Sequence, residues 1–510
     1  MAVGVLAGGC ATLDTSVTRP DSQAVQLPYT ESRLGQLFDA DLARRPGESA
    51  SLLLDEGTLA LFQRGVLADS AERGIDLQTY IYDDDDSGIV MMERLFLAAE
   101  RGVRVRVLID DNGLASDTVL PLILDDHPQI EVRIFNPFHL RARWSRPFQY
   151  LFEFRRLNRR MHNKLLIVDG TAVIVGGRNV GGNYFDQDDD ANFTDLDALL
   201  VGPVAREAAD CFDEYWNSEY AVPAAAVPNP LSEKRRERLI ETYRARLSAL
   251  DDRRDRYEAL RDAFLEALEQ RQIDVHWGPA RLVADPPDKV DPSATPEPSP
   301  VLAALRDEWD RATREILIAS AYLVPGPDFS SNILAKREQG VAVSLLTNSL
   351  ASNDVAVVHA GYAKRRRELL ESGARLFEYQ KFANTPSRED TPSSGASLHS
   401  KTIVFDRHHA WIGSFNLDPR SVELNTEVAV IVDSASLAAE LAQRLEHDMS
   451  PERSWEVHLR RDPGAQRAHL EWHGIHEGES IVVRHEPDTS PLERAAVQFF
   501  KLIPGLDRLL

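Results

Sequence analysis

Residues 161–179 read MHNKLLIVDGTAVIVGGRN and contain His162, Lys164 and Asp169 in the spacing H-x-K-x4-D, with Asn179 at the end of a following GGRN sequence. On a strand, side chains two residues apart lie on the same side, so His162 and Lys164 point the same way. The glycine pair lets the backbone turn and brings Asn179 close. An imidazole, an ammonium and an amide around one point suit a phosphodiester, because two of them can bind nonbridging oxygens while the imidazole attacks or donates a proton.

The same motif occurs a second time. Residues 398–416, LHSKTIVFDRHHAWIGSFN, carry His399, Lys401 and Asp406 at the same spacing and end at Asn416. In-line displacement at phosphorus needs a nucleophile on one side and an acid for the leaving group on the other. One motif supplies one histidine, so two motifs facing each other across a pseudo-twofold axis would supply both groups.

The repeat extends beyond the motif to whole strands. Gly102 and Gly340 are 238 positions apart, and His162 and His399 are 237 positions apart. Alternating or apolar runs separated by helix-length segments predict strands. The predicted strands are 75–82, 103–110 and 131–135 in the first half and 315–322, 339–346 and 374–378 in the second. This order predicts an α/β fold made of two tandem, pseudo-twofold-related domains, each a mostly parallel or mixed sheet flanked by helices.

The predicted domain boundaries follow changes in composition. Before the first repeat unit there is a polar tether, and we expect a surface helix over 51–74 and a loop over 83–88 inside that unit. Between the units lie a charged helical insertion and a Pro-rich linker. The expected regions are 1–30 signal and tether, 31–230 first domain, 231–300 insertion and linker, 301–460 second domain and 461–510 C-terminal tail.

Bulk properties exclude several classes of protein. The chain has 510 residues, 43% hydrophobic and 27% charged, and a formal net charge of -23. This charge argues against nucleic acid held by a general positive field. Two cysteines provide neither a disulfide framework nor a cysteine-ligated zinc site. No apolar run reaches the ~20 residues that a membrane-spanning helix needs.

The first ten residues, MAVGVLAGGC, are apolar and small and end in Cys10. A polar tract follows, so the stretch is similar to a bacterial lipoprotein signal with Cys10 as the lipidated residue. The stretch lacks a basic residue and is short for a signal peptide. Lipid anchoring in a bacterial cell envelope is therefore one expectation, and a flexible N-terminus is the alternative.

The duplication also identifies two acidic residues near the histidines. NTEV around Glu427 aligns with FTDL around Asp195, so the two carboxylates hold equivalent places, although Asp195 lies five residues later than symmetry predicts and Asp197 is the alternative. A carboxylate bonded to a ring N–H fixes the tautomer of a histidine and stabilises its imidazolium form. Asp169 and Asp406 belong to the predicted catalytic set through the motif, although strand ends favour a structural role in the turn.

These residues carry a family resemblance. The duplicated H-x-K-x4-D followed by G-[GS]-x-N resembles the signature of the phospholipase D superfamily, over roughly residues 50–435. The sequences NRRMHNK at 158–164, GGRN at 176–179 with Tyr184-Phe185, and NLDPRS at 416–421 with LNTE at 424–427 are more closely similar to the bacterial cardiolipin synthases of the C type.

The resemblance implies a transphosphatidylation. His162 would be the nucleophile that forms a phosphatidyl-histidine, and His399 would act as general acid and then as general base. Phosphatidylglycerol, with phosphatidylethanolamine as a further donor, would be the substrates, and no metal or cofactor is implied. Two acidic runs, 83–86 and 188–190, lack the ligand pattern of a calcium loop, and we expect solvated loops there.

A basic and aromatic segment precedes the first motif. Residues 141–160, RARWSRPFQYLFEFRRLNRR, contain seven arginines interleaved with aromatic residues. They fit an anionic bilayer surface, ion pairs within this acidic chain, or single-stranded nucleic acid. The predicted substrate-binding residues come from this segment and from the two motifs; they are Arg155, Arg156, Arg159, Arg160, Gly177 and Ser414.

Other functions stay open from the sequence. Water as the acceptor would make the protein a phospholipase D-type hydrolase, and the superfamily also includes nucleases. A non-catalytic, lipid-binding envelope lipoprotein is the alternative of another class. The C-terminal stretch 492–510 predicts a helix that either packs on the core or lies on a membrane surface.

Overall fold

A computed structural model provides the three-dimensional structure. It describes residue 14 and residues 16–503 apart from 116–117, 140–145, 189–190, 251–253, 295–297, 354, 384–394, 465 and 477, and side chains at 146–148 and 476 are not described. The expected lipidation site, Cys10, lies outside the described residues. So do residues 141–145 of the basic and aromatic segment, together with the side chains at 146–148.

The first half of the chain alternates strands and helices. Its strands are β1 (Glu48–Leu54), β2 (Gly74–Ile81), β3 (Arg104–Gly113), β4 (Ile130–Phe135), β5 (Leu165–Val168), β6 (Ala172–Gly176), β7 (Ala191–Thr194), β8 (Asp197–Val201) and β9 (Ala221–Pro223). Its helices are α1 (Arg33–Arg44), α2 (Gly57–Ser70), α3 (Asp86–Glu100), α4 (Leu120–Asp125), α5 (Arg146–Leu157) and α6 (Pro203–Asn217). The predicted insertion forms α7 (Glu233–Ser248) and α8 (Arg254–Glu269).

The second half repeats this plan. Its strands are β10 (His276–Ala284), β11 (Glu315–Ser320), β12 (Ala342–Asn348), β13 (Arg375–Tyr379), β14 (Gly395–Leu398), β15 (Lys401–Phe405), β16 (His409–Gly413), β17 (Val428–Asp433), β18 (Ser454–Arg460), β19 (His469–His476) and β20 (Glu479–Val483). Its helices are α9 (Pro300–Arg311), α10 (Phe329–Glu338), α11 (Ala356–Glu371), α12 (Pro419–Glu423), α13 (Ala435–Asp448) and α14 (Pro491–Lys501).

Eighteen of these strands form one continuous mixed sheet with near-mirror order, and β7 and β14 form a separate parallel pair. The order is β9-β4-β3-β2-β5-β6-β8-β1-β10-β17-β16-β15-β11-β12-β13-β18-β19-β20. Only β2-β3-β4 and β11-β12-β13 are parallel in this order. The antiparallel pair β1–β10 joins the halves. This arrangement confirms the predicted α/β class and the duplicated unit.

Packing places one hydrophobic cluster between the halves. It contains alternate side chains of β5, β6 and β8 from the first half and of β15, β16 and β17 from the second, together with α6 and α13. Two further clusters cover the outer sides of the two half-sheets. The halves therefore share a core and do not meet only through a loop.

Three sequence predictions differ from the structure. The expected surface helix over 51–74 is a strand followed by the largely buried α2. The expected loop over 83–88 ends early, because Asp85 caps α3 by accepting a hydrogen bond from the Gly88 N–H. The expected tail from residue 461 contains the β19–β20 hairpin, which extends the sheet before α14 begins.

None of the described helices has the length and apolar content needed to cross a membrane. The C-terminal helix α14 packs on α11 through Val497, which meets Leu350 and Ala360. Its Leu492, Phe499 and Leu502 remain exposed. One side of α14 is therefore docked on the core, as the first alternative predicts, and contact of the exposed side with a membrane stays a prediction.

The buried Asp169 ties two elements of the first half together. Its carboxylate accepts hydrogen bonds from the backbone N–H groups of Glu72, Arg73 and Gly74 at 2.8–2.9 Å. We expect Asp169→Ala to lower the free energy of unfolding by about 3 kcal/mol, since three buried donors lose a charged acceptor. Urea unfolding measures this change. The exposed Asp307→Ala should change stability by less than ~0.5 kcal/mol, and an equal effect of both variants would contradict the structural role.

Candidate active site

Each histidine lies at the junction of the two halves. The backbone of Met161 pairs with Thr426, and the His162 N–H donates to the Thr426 carbonyl at 2.9 Å. In the equivalent place β14 pairs with β7, and the His399 N–H donates to the Thr194 carbonyl at 2.8 Å. The motif of one half is therefore held in register against the acidic segment of the other half.

This register exchanges the predicted carboxylates between the halves. Nδ1 of His162 lies 2.9 Å from the Glu427 carboxylate, and Nδ1 of His399 lies 2.6 Å from the Asp195 carboxylate. The sequence identified both acids as histidine partners, and the structure pairs each of them with the histidine of the opposite half. With Nδ1 occupied, Nε2 of each ring is the nitrogen left for chemistry.

The two predicted substrate-binding residues next to the glycine turn contact these carboxylates. The Ser414 hydroxyl donates to the Glu427 carboxylate at 2.5 Å, and Ser421 donates to the other oxygen at 2.8 Å. At the place equivalent to Ser414, a Cβ on Gly177 would lie 2.3 Å from Asp195 Oδ1. We therefore assign Gly177 and Ser414 to positioning the carboxylates rather than to binding substrate.

Both motif lysines are buried beside their histidines. The Lys164 ammonium donates to the His162 carbonyl at 2.6 Å. The Lys401 ammonium donates to the His399 carbonyl and lies 3.0 Å from Nδ1 of that ring. Each lysine also acts electrostatically on the histidine of the opposite motif. The two histidines and two lysines thus form one buried cluster.

Burial sets the protonation of the cluster. Loss of solvent lowers the pKa of His162 to about 4 and that of Lys164 to about 7, and the opposing attraction of the Glu427 carboxylate offsets only part of this effect. Loss of solvent and the Lys401 ammonium lower the pKa of His399 to about 3. Burial alone would raise the pKa of Glu427, but the imidazole of His162 and the Lys164 ammonium hold it below its ordinary value. Asp195 is held low in the same way by His399.

The motif asparagines fix the strand ends around the cluster. Asn179 accepts a hydrogen bond from the Ile81 N–H at 3.2 Å and donates to the Tyr184 hydroxyl at 2.8 Å. Asn416 accepts from the Tyr322 N–H at 3.4 Å. Both therefore lie beside the cluster as predicted by the turn, with part of their bonding capacity used by the protein.

Reasoning from the sequence did not assign the aromatic rings next to the histidines to the site. The Tyr80 ring lies 5.3 Å from His162, and the rings of Tyr184 and Phe193 lie 5.1 and 5.0 Å from His399. From the sequence, Tyr184 was noted only as one of the residues that carry the family resemblance. Tyr80 sits near the carboxyl end of β2, at the edge where polar side chains collect, and this position is the signal that could have identified it.

The motif aspartates lie away from the histidines. Asp169 directly follows β5 and Asp406 directly follows β15, so both lie at the strand ends opposite to the histidines. Both have left-handed backbone angles, with φ of 55° and 56°. Asp406 accepts from the backbone N–H groups before β11, as Asp169 does before β2. Their inclusion among the catalytic residues is therefore corrected to a structural role, because they hold turns and do not reach the cluster.

The four predicted substrate-binding arginines have different surroundings. Arg160 is buried in an ion pair with Asp110 at 3.1 Å. Arg159 donates to two backbone carbonyls across the domain junction, and Arg156 donates to Glu153 of its own segment and to Asn136 after β4. Arg155 is exposed. Arg156, Arg159 and Arg160 thus hold the structure together, and substrate binding by Arg155 stays a prediction.

Possible metal ligands among the described residues lie elsewhere. His408, His409 and Asp433 bring one ligand atom each within 4.8 Å of one another. They occupy the turn between β15 and β16 and the end of β17, at the far end of the strands from His399. This group is partly exposed and does not belong to the histidine cluster.

The arrangement can carry out displacement at a phosphodiester. It provides two neutral imidazoles, each with a carboxylate on Nδ1, and two buried ammonium groups for nonbridging oxygens. The family described as cardiolipin synthase, phospholipase D-like domain, matches residues 67–216 and 305–449, which contain both halves of this cluster. The chain belongs to this family. The resemblance read from the duplicated motifs is confirmed.

Three related proteins match between 76% and 94% of the chain. Cardiolipin synthase C of Escherichia coli K12 is 37% identical over 471 residues, 91% of this chain and 96% of that protein. An uncharacterized protein of Helicobacter pylori 26695 is 37% identical over 94% of this chain and 93% of its own length. Cardiolipin synthase B of Escherichia coli K12 is 24% identical over 76% of this chain and 79% of its own length. The match to the C-type enzyme agrees with the finer resemblance.

A solved structure has the same fold. Phosphatidylserine synthase of Haemophilus influenzae Rd KW20 superposes with a TM-score of 0.57 at 13% identity, over 93% of this chain and all of that chain. At this identity the likeness concerns the fold. It supports the arrangement of two phospholipase D-like domains in one sheet.

The low histidine pKa values predict a pH dependence of stability. Between the folded values, about 4 and 3, and the ordinary value of 6.5, the unfolded chain binds more protons than the folded chain. Stability from these residues is thus present above pH 6.5 and lost as the pH falls. We expect a loss of about 2 kcal/mol per histidine at pH 5. Thermal unfolding at pH 7.5 and pH 5 measures it.

The matched control is the double variant His162→Asn/His399→Asn. It lacks both titrating groups, so its Tm should fall less between pH 7.5 and pH 5 than that of the unchanged protein. Parallel Tm curves for the two proteins would contradict the depressed pKa values. Both samples need the same buffer ions, since anions can occupy the cluster.

Proposed function

We propose that this protein is a cardiolipin synthase that transfers a phosphatidyl group through a covalent intermediate on His162. The observation that carries the proposal is the crossed pairing of two histidines with Glu427 and Asp195, which prepares two Nε2 atoms around one anion site. The 37% identity to cardiolipin synthase C of Escherichia coli K12 supports the substrate class.

In the first step Nε2 of neutral His162 attacks the phosphorus of phosphatidylglycerol. A P–N bond forms, and the bond to the headgroup oxygen breaks. His399, as imidazolium, donates its proton to the leaving oxygen, and glycerol departs. The negative phosphodiester raises the pKa of both imidazoles, so His399 gains this proton when substrate is bound. The Lys164 and Lys401 ammonium groups balance the charge on the nonbridging oxygens.

In the second step neutral His399 accepts the proton of the terminal hydroxyl of another phosphatidylglycerol. That oxygen attacks phosphorus, the P–N bond breaks, and cardiolipin leaves with His162 again neutral. Phosphatidylethanolamine as donor would release ethanolamine by the same route. Water as acceptor would give phosphatidic acid, the product of a hydrolase.

Exposed apolar residues support a membrane surface next to this site. Phe152 of α5 is 82% exposed with Leu151 beside it, and Leu492 and Leu502 near α14 are each 79% exposed. Helix α5 follows the carboxyl end of β4, and α14 packs beside the carboxyl end of β12. The histidines lie at this same end of the strands. We assign these side chains to the bilayer interface, with the exposed Arg155 meeting lipid phosphates.

The transferase reaction is tested with phosphatidylglycerol vesicles and a radiolabel on the phosphate. Rapid acid-free quenching should leave label on the protein, and peptide mapping should place it on His162. We expect cardiolipin formation to fall on the order of 10³-fold or more in His162→Asn, since removal of a nucleophile has effects of this size or larger. The exposed His408→Asn is the matched control and should retain activity.

Three other results would change the proposal. Label on His399 would reverse the two histidine roles. Phosphatidic acid without cardiolipin, read by mass spectrometry with and without phosphatidylethanolamine, would favour the hydrolase. Full turnover in His162→Asn would exclude a covalent intermediate on His162.

The membrane surface is tested by vesicle flotation. We expect the double variant Leu151→Ser/Phe152→Ser to bind phosphatidylglycerol vesicles at least about tenfold more weakly, because each apolar side chain contributes ~1.5–3 kcal/mol when fully buried. Leu260→Ser on α8 removes another exposed apolar side chain, 54% exposed, from a different surface and should leave binding unchanged. Equal binding of all three proteins would contradict the assignment.

A further inference from the structure

A large cavity lies in the second half beside the candidate site. Its volume is about 1350 Å³, more than the ~300–1,000 Å³ of usual small-molecule pockets. Its walls are largely apolar and come from α9, α10, the loop after β11 and the segment after β16; they include Leu305, Trp309, Val324, Phe329, Phe415 and Leu417. Charged residues such as Arg306 and Asp310 also border it.

The floor of the cavity continues the strands that carry the site. Ile318 and Ile403 line the cavity and pair with each other across β11 and β15. Two residues further along the same strands, Ser320 pairs with Lys401. Alternate residues of a strand share a side, and two residues span about 7 Å, so the cavity floor begins about one side-chain layer from the motif lysine.

A short segment separates the cavity from the histidine cluster. Phe415 and Leu417 line the cavity, and Asn416 between them lies on the motif side, where it accepts the Tyr322 N–H. The Leu417 backbone is held by the Ser320 hydroxyl at 3.0 Å and by Val324, which donates to its carbonyl at 2.8 Å. The anion site and the cavity thus share one wall.

The first half has polar side chains at the equivalent places. Arg178 is equivalent to Phe415, and both Arg178 and Arg64 bond the buried Asp197 at 3.2 and 2.9 Å. Arg64 precedes Gly74 by ten residues, as Leu305 precedes Glu315. The paired arginines fill space in the first half.

The second half has apolar residues at the three positions equivalent to Arg64, Arg178 and Asp197. Asp197 pairs with Gly176 across β8 and β6, and Ala429 pairs with Gly413 across β17 and β16. Ala429 therefore stands where Asp197 stands in the first half, and it joins Leu305 and Phe415 in one hydrophobic cluster. The duplicated domains have become different at three contacting positions, and the difference creates an apolar lining in the second half.

We propose that this cavity holds an acyl chain of a phospholipid whose phosphodiester lies between the two histidines. The inference rests on the proposed phospholipid substrate and adds where its hydrocarbon goes. The exposed Gly326–Asp328 turn lies at the cavity mouth and follows the carboxyl end of β11, the end at which the histidines and the apolar α5 and α14 surfaces lie. A chain can therefore enter from the bilayer side while the headgroup stays in the cluster.

Photolabelling tests the location directly. Phosphatidylglycerol with a photoactivatable diazirine in the middle of one acyl chain is mixed with the full-length protein in vesicles and irradiated. We expect labelled peptides from α9 and α10, around Leu305 and Phe329. Label confined to α5 and α14, or found in the first half around Arg64, would overturn the proposal.

Two substitutions narrow the cavity without disturbing the core. Ala335 is exposed on α10 and lines the cavity, and a Cβ at Gly326 would meet no atom within 4 Å. We expect Ala335→Phe and Gly326→Phe to reduce cavity labelling and kcat/KM for long-chain phosphatidylglycerol by about tenfold, the ratio for losing about two buried methylene groups. Ser331→Phe, exposed on the same helix outside the cavity, should behave as the unchanged protein.

Short-chain lipid separates this proposal from the general function. Turnover of dihexanoyl-phosphatidylglycerol should stay close to that of the unchanged protein in both cavity variants. A chain bound elsewhere would leave long-chain turnover and labelling unchanged in the variants, which would overturn the proposal. A protein that makes no cardiolipin from either lipid would refute the proposed function, while the labelled peptides would still show whether the cavity takes the chain.

Discussion

The crossed contacts of His162 with Glu427 and of His399 with Asp195 are the interactions around which the candidate site is built. Each contact joins a side chain of one half to a side chain of the other. Neither half alone contains a histidine with its carboxylate, so the site exists only when the halves are held in register. The continuous sheet through β1 and β10 and the shared cluster of α6 and α13 provide that register.

Burial gives these contacts their chemical effect. Two lysines, two histidines and two carboxylates lie together with little solvent, and an unpaired charge in such a place costs several kcal/mol. The carboxylates stay ionised because imidazole and ammonium groups surround them. The histidines stay neutral because desolvation outweighs the attraction of Glu427 and Asp195. The free site therefore holds two neutral imidazole rings beside two buried lysines, and the carboxylates of Glu427 and Asp195 balance the lysine charges.

Duplication explains why the two motifs form a symmetric site. Divergence of the two halves explains why the surroundings of the motifs differ. The motif residues are equivalent in both halves, as are the turn-holding Asp169 and Asp406. Their surroundings differ, since Arg178 fills one half with ion pairs where Phe415 opens the other to a cavity. The helical insertion α7–α8 packs on the first half, and the β19–β20 hairpin extends the second. A symmetric pair of catalytic groups thus acts on a substrate that is itself asymmetric about its phosphorus.

The α/β class, the duplication, the catalytic histidine and lysine candidates and the equivalence of Asp195 with Glu427 could all be predicted from the chain, because they depend on spacing and strand periodicity along it. Tertiary structure alone decided that the carboxylates are exchanged, that Arg160 is buried against Asp110, and that Tyr80 lies against His162. It also decided that Ser414 supports a carboxylate and that a cavity opens beside Asn416. Such contacts depend on distances between residues up to 265 positions apart, which local patterns along the chain do not record.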